Sequence, residues 1–238
     1  MSLITVVRDV CAVVGVAAPV SVIAAIGSNR TMFEMLACAN EMAQRIAYDT
    51  RDWTELCKYH TLVGADTDPA PDVLVPQTMY PLPADYKRML LTTNLWRSSS
   101  TQRPMKFISD PDDWLQRYLA NDNDAPGSWT KFGNDIHLRP GLSPGETIQF
   151  IYLEKNCVAL ASGGYGDRFQ SDTDTFRLDE RLLKLGMTFD WKMKKGSPYA
   201  EDMGTYQDAV NNVMGHDKPA PIIIGRRTIA DAWGGYHA

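Results

Sequence analysis

The sequence predicts an α+β fold: a helical bundle formed by the N- and C-terminal helices, an antiparallel β domain inserted between them, and an extended C-terminal tail. Three observations predict it. Apolar residues recur at helical spacing near both ends of the chain. The middle breaks into short apolar or alternating runs punctuated by Pro, Gly, Asn and Asp, and the final stretch sets an apolar triplet behind two prolines. The expected boundaries are 1–57 for the N-terminal helices, 58–160 for the β domain, 161–217 for the C-terminal helices and 218–238 for the tail. At 238 residues and 44% hydrophobic, the chain is long enough to bury an ordinary core without disulfide or metal staples.

Leu3, Val6, Val7, Val10, Val13 and Val14 fall on one face of a first helix, with Ser2 as its N-cap and Gly15 as its stop. A second helix starts after Ser28-Asn29, carries Met32, Met35, Leu36, Ala39, Met42, Ala43 and Ile46 on its apolar stripe, turns Glu34, Glu41, Gln44 and Arg45 outward, and ends near Asp49 to Asp52. Strands are expected at Tyr59 to Val63, Val73 to Val75, Met89 to Leu95, Met105 to Ile108, Trp129 to Phe132, Asp135 to Leu138 and Thr147 to Leu153. A short helix over Asp110 to Leu119 interrupts them, with proline in its first turn and acids at its positive end. Helix returns near Asp179, with Leu182, Leu183, Leu185, Gly186, Phe189 and Met193 on the apolar side, and again after Pro198, where Tyr199, Met203, Tyr206, Val210, Val213 and Met214 recur.

Bulk properties exclude several classes. A formal net charge of −5 argues against a dedicated duplex-DNA binder. Cys11, Cys38, Cys57 and Cys157 have no paired zinc-type spacing and read as reduced core residues. The uncharged run from Val10 to Ser28 is interrupted by Gly15 and Pro19, so it reads as a helix followed by a buried turn rather than a signal peptide or a membrane span. His60, His137, His216 and His237 are scattered, and Ser162-Gly163-Gly164-Tyr165-Gly166 lacks the Gly-Lys-Ser/Thr ending of a phosphate loop and reads as a flexible loop. Asp122, Asp124, Asp172 and Asp174 have alternate spacing but no EF-hand glycine or glutamate; they read as solvated turns, with Asp174 or Thr175 near a helix start. Arg181, Lys184, Lys192, Lys194 and Lys195 suit a structural role at a helix C-terminus or an acidic partner surface. The chain is accordingly read as a non-enzyme with no catalytic, cofactor or metal site.

Three phrases carry a family resemblance: Trp53 at the end of the second helix, Leu82-Pro83-Ala84-Asp85-Tyr86, and Asp172-Thr173-Asp174 followed by the basic helix from Leu182 to Lys195. Their order resembles that of the head-to-tail adaptor (connector) proteins of tailed bacteriophages over nearly the full length. The resemblance implies a virion subunit, assembled in the host cytoplasm, that forms a dodecameric ring beneath the portal protein. The ring would dock the tail or nozzle protein and let genomic DNA pass through its lumen without specific binding, with no membrane involved. In that reading the tail grips the portal: Ile222, Ile223 and Ile224 supply strand pairing, Arg226 and Arg227 meet portal carboxylates, and Trp233 or Tyr236 fills a pocket. The loops at 66–71, 121–127 and 140–145 face the tail side.

Two other classes predict different behaviour. A virion-associated cell-wall hydrolase needs a pair of carboxylates, one with a raised pKa. A sugar-binding tail module would use Trp96, Trp114 and Trp129, which read otherwise as hydrophobic core.

Overall fold

In the computed structural model the described residues are 2–64, 77–90, 93–120 and 126–217. The chain is mixed α+β. In order it forms α1 (Leu3–Val14), α2 (Arg30–Tyr48), a 3-10 turn (Thr54–Leu56), β1 (Cys57–Val63), β2 (Gln77–Pro81), β3 (Tyr86–Met89), β4 (Trp96–Arg97) and β5 (Lys106–Phe107). There follow α3 (Pro111–Leu119), β6 (Ser128–Phe132), β7 (Asp135–Leu142), β8 (Thr147–Glu154), β9 (Val158–Ala159), β10 (Tyr165–Gly166), β11 (Thr175–Phe176), α4 (Glu180–Lys194) and α5 (Ala200–Asp217). Among the described residues no helix is long and apolar enough to cross a membrane.

Helix α4 packs against α1, α2 and α5, and this contact set explains its burial pattern. A surface helix hides one stripe. Here Leu182, Leu183, Gly186, Met187, Thr188, Phe189, Asp190 and Trp191 are all buried, while Met193, expected on the apolar side, is exposed. At Gly186 an added Cβ would meet the Met42 methyl at 2.5 Å and the Tyr206 ring at 3.3 Å, so the missing side chain leaves the space that the end of Met42 and the Tyr206 ring occupy beside α4. The second helix follows its predicted stripe: Met32, Met35, Ala39, Met42, Ala43 and Ile46 are buried, and the Asn29 side chain caps its N-terminus by accepting from the Thr31 amide.

The β region holds two sheets around a second core. In one, β8 is flanked by β1 along its whole length on one edge and by β3 and then β4 on the other. The other has the order β2-β7-β6-β5. Leu62, Tyr80, Leu82, Leu95, Met105, Trp129, Ile136, Leu138, Ile148, Phe150 and Tyr152 meet between them. Alternation along β8 sends Ile148, Phe150 and Tyr152 into this core, whereas Leu153 belongs to the core of the helices. The helical layer therefore covers the outer face of the sheet at the C-terminal end of β8.

Several expectations are corrected. The β region is not wholly antiparallel, because β5 pairs parallel with β6. The run from Met89 to Leu95 is not one strand: Met89 ends β3, the Thr93 amide turns back to the Leu90 carbonyl, and pairing resumes only at Trp96. Trp53 lies beyond α2, where its indole N–H donates to the Ile46 carbonyl at 2.7 Å and so satisfies one of the orphan acceptors at that helix end. The glycine phrase is a hairpin turn between β9 and β10: Gly163 and Gly164 sit at φ +97° and +81°, the Gly163 amide donating to the Leu160 carbonyl and the Leu160 amide to the Gly164 carbonyl. The expected strand at Val73 to Val75 lies outside the described residues.

The largest correction concerns Asp172 and Asp174, which are not solvated turn residues and do not start a helix; α4 is capped by Asp179. Asp174 is buried and its carboxylate accepts from the amides of Ala161, Gln170 and Ser171 at 2.6 to 2.8 Å. Asp172 accepts from the Ser21 hydroxyl and from the amides of Val22 and Ile23. The backbone carbonyls of the same phrase take the amides of Leu3 and Ile4, so α1 is capped by tertiary contact, while the Ser2 side chain makes no capping bond. The stretch after Gly15 is correspondingly an anchored turn with only Val22 fully buried and Val20 exposed, not a buried one.

Replacing Asp174 by Ala removes the buried carboxylate that accepts from three amides and is expected to cost about 3 kcal/mol in denaturant unfolding. Asp9→Ala, which breaks the part-exposed pair with Lys184, is expected to cost about 1 kcal/mol or less in the same measurement. Equal effects would show that the phrase contributes nothing beyond an exposed ion pair.

Candidate functional site

Ile222, Ile223, Ile224, Arg226, Arg227, Trp233 and Tyr236, the residues assigned to portal grip, lie outside the described residues. What the structure does place is a two-layer platform and a cluster of loop ends in the β region.

The platform is joined at an ionic seam. Glu154, the last residue of β8, is fully buried and pairs with both Arg177 and Lys58, the latter at 2.6 Å. Lys58 also binds Asp85 at 2.7 Å, and Asp85 accepts from the Tyr152 hydroxyl at 2.7 Å. Arg177 donates onward to the carbonyls of Asn156 and Glu55 and lies 4.1 Å from the Tyr165 ring centroid. Thus the Leu82-Pro83-Ala84-Asp85-Tyr86 phrase, the entry to β1, the exit of β8 and the residue after β11 meet in one network. Burial pushes the Asp85 carboxyl up, but the hydrogen bonds from Lys58 and Tyr152 outweigh it and hold its pKa below the ordinary value. Asp172 behaves alike: burial raises its pKa, and the bonds from Ser21, Ile23 and Val22 bring it down further.

The loop ends gather around Arg97, which is only 5% exposed. Its guanidinium donates to the carbonyls of Pro126, Pro140 and Gly141 at 3.4, 2.9 and 2.6 Å and pairs with Glu146 at 2.9 Å. The Glu146 carboxylate takes the Ser143 amide and the Ser99 hydroxyl, and its carbonyl takes the Gly64 amide. Gly64 accepts in turn from the Gly145 amide. Two glycines are required here: a Cβ at Gly64 would collide with the Ser143 carbonyl, and one at Gly127, at φ +103°, would lie 2.6 Å from the Arg139 carbonyl. The loop 66–71 and residues 121–125 lie outside the described residues. Gly64, Pro126 and the segment 140–145 meet at one buried arginine network, a convergence the sequence reading did not assign to Arg97.

The remaining candidates are accounted for within the chain. Lys184, Lys192, Lys194 and Lys195 pair with Asp9, Asp202, Asp190 and Glu34 respectively. Trp114 and Trp129 are buried and Trp96 is 43% exposed, so the three do not form one aromatic platform. Cys38 donates to the buried Asp190 at 3.2 Å, and burial followed by that carboxylate pushes its thiol pKa far up, which keeps it protonated and unreactive. Burial pushes Cys157 up to about 11. Among the described residues no three His, Cys, Asp or Glu side chains gather as a metal site. No protein-family model and no curated protein matches the chain.

Both Asp85 and Asp172 hold protons more weakly when folded than when unfolded. The stability they add is complete well above the unfolded value of 3.8 and is lost as pH falls below it through their folded values. Thermal unfolding is expected to lose midpoint temperature over that acid window, and Asp85→Asn is expected to flatten the loss. A second expectation concerns the loops: Arg97→Met is expected to speed hydrogen exchange at Gly64 and Gly145 by about tenfold or more with little change in the helices. Unchanged exchange at those amides would remove Arg97 as their organiser.

Proposed function

We propose that the chain is a structural subunit of the head-to-tail junction of a tailed bacteriophage, an adaptor that rings the underside of the portal and presents a docking surface to the tail or nozzle. In this reading the helices of 1–57 and 161–217 form one bundle carrying the β domain as an insertion, and 218–238 extends as the portal grip. Genomic DNA passes through the lumen of a twelve-copy ring, and the acidic balance of the chain keeps that passage weakly adhesive.

The observation that carries the proposal is the use made of the residues behind the resemblance. Trp53 closes α2, Asp85 closes the seam between the two layers, and Asp172 and Asp174 tie the N-terminal segment to the C-terminal half. These are the joints of a rigid scaffold. A ring subunit needs such rigidity, because closure through many modest contacts multiplies their strength only if each subunit holds its geometry.

The test is to mix the purified protein with a cognate portal ring and measure the mass of the product, comparing the full chain with one ending at Asp217. A discrete ring complex from the full chain alone is the expected result. No complex with either chain would overturn the proposal, and an equal complex with both would overturn the grip assigned to 218–238.

A further inference from the structure

Two exposed features on different layers of the molecule are complementary. The first is a groove of about 550 Å³ between α2 and α4, with Phe33, Ala37 and Trp191 as its apolar lining and with four cations, Arg30, Arg45, Lys194 and Lys195, against two carboxylates, Glu34 and Glu41. Phe33 is 58% exposed, a large apolar side chain on the outside of a helix whose opposite stripe is fully packed. Of the carboxylates that pair with these cations, Asp190 is fully buried, Glu34 is part-exposed and Glu41 is half exposed. Cations thus outnumber carboxylates along the groove, and each guanidinium or ammonium has N–H donors beyond those its partner within the chain can take.

The second feature is α3. Asp112, Leu115, Gln116 and Leu119 recur at i, i+3, i+4 and i+7, the spacing that makes one helix face, and all four are exposed. Leu115 is 52% and Leu119 74% exposed, while Trp114 holds the opposite side to the body. The acids of the first turn are ordered, since the Asp110 carboxylate accepts from the Asp112 amide and Asp113 pairs with Arg117. An apolar pair with an acidic leading end fits an apolar lining with an excess of cations in both shape and sign.

From this we infer that α3 of one copy seats in the α2/α4 groove of the next copy, with Leu115 and Leu119 on Phe33 and Ala37 and Asp112 facing the groove cations. The patches differ, so the contact is heterologous, and a heterologous contact that closes generates a ring. The inference rests on the ring reading above and names its subunit contact. One helix in one groove is a small interface, which suits copies that stay apart when dilute and gain strength on closure.

The experiment uses two full-length variants, Leu115→Asp/Leu119→Asp in the helix and Phe33→Asp/Ala37→Glu in the groove. All four positions are exposed, and circular dichroism checks that both variants keep the wild-type spectrum. Sedimentation velocity across a concentration series reads association. The wild type is expected to associate as concentration rises, each variant alone to remain monomeric, and the equimolar mixture to form one-to-one dimers and nothing larger, because only one intact helix and one intact groove then meet. A wild type that stays monomeric throughout, variants that associate like the wild type, or a mixture without dimers would each overturn the contact. Association lost only on truncation after Asp217 would overturn it in favour of 218–238. Portal capture by the wild type is measured separately, so failure of the adaptor reading is distinguishable from failure of this contact.

Discussion

The fold depends first on the way Asp172-Thr173-Asp174 satisfies backbone donors that no local structure can satisfy. Helix α1 begins with amides that have no intrahelical acceptor, and the turn after it presents those of Val22 and Ile23. A buried amide without a partner is costly, so these ends are stable only where acceptors reach them. The phrase supplies carbonyls to Leu3 and Ile4, one carboxylate to Ser21, Val22 and Ile23, and the other to Ala161, Gln170 and Ser171. The first helix and the last third of the chain are thereby made parts of one layer.

The second joint is of a different kind. Glu154 is buried at the end of a strand whose preceding residue packs into the helical core and whose alternate residues fill the β core. A lone carboxylate there would be strongly destabilising; flanked by Lys58 and Arg177 it is neutralised, and the geometry it demands fixes the angle between the layers. Apolar contact alone is tolerant of sliding. A three-way ion pair with directed hydrogen bonds to Asn156 and Glu55 is not, which is why the seam rather than either core sets how the two layers meet.

The same economy appears at the loop end, where one buried guanidinium holds two chain segments, at Pro126 and at Pro140-Gly141, through their carbonyls and a third, at Gly64, by way of Glu146. A scaffold of this kind is stiff where it is joined and leaves its contact surfaces outside the joints. The exposed face of α3, the groove beside Phe33 and the Arg97 cluster share no residue with the seam.

Periodicity by itself determined the helices, because an apolar stripe at Met32, Met35, Ala39, Met42 and Ile46 has one low-energy way to be buried, and the strands of β6 to β8 likewise. It also marked Gly15 as a stop, and the glycine sits there at φ +74°. It could not determine the roles of Asp85, Arg97, Asp172 or Asp174, since a charged residue outside an apolar pattern reads as solvated whenever its partner is distant in sequence. Ser21 and Asp172 are 151 residues apart, and Arg97 meets Gly141 across 44. Only the tertiary structure decided that all four are partnered and that Arg97 and Asp174 are buried, because the partners that make this favourable come together only once the chain has folded around them.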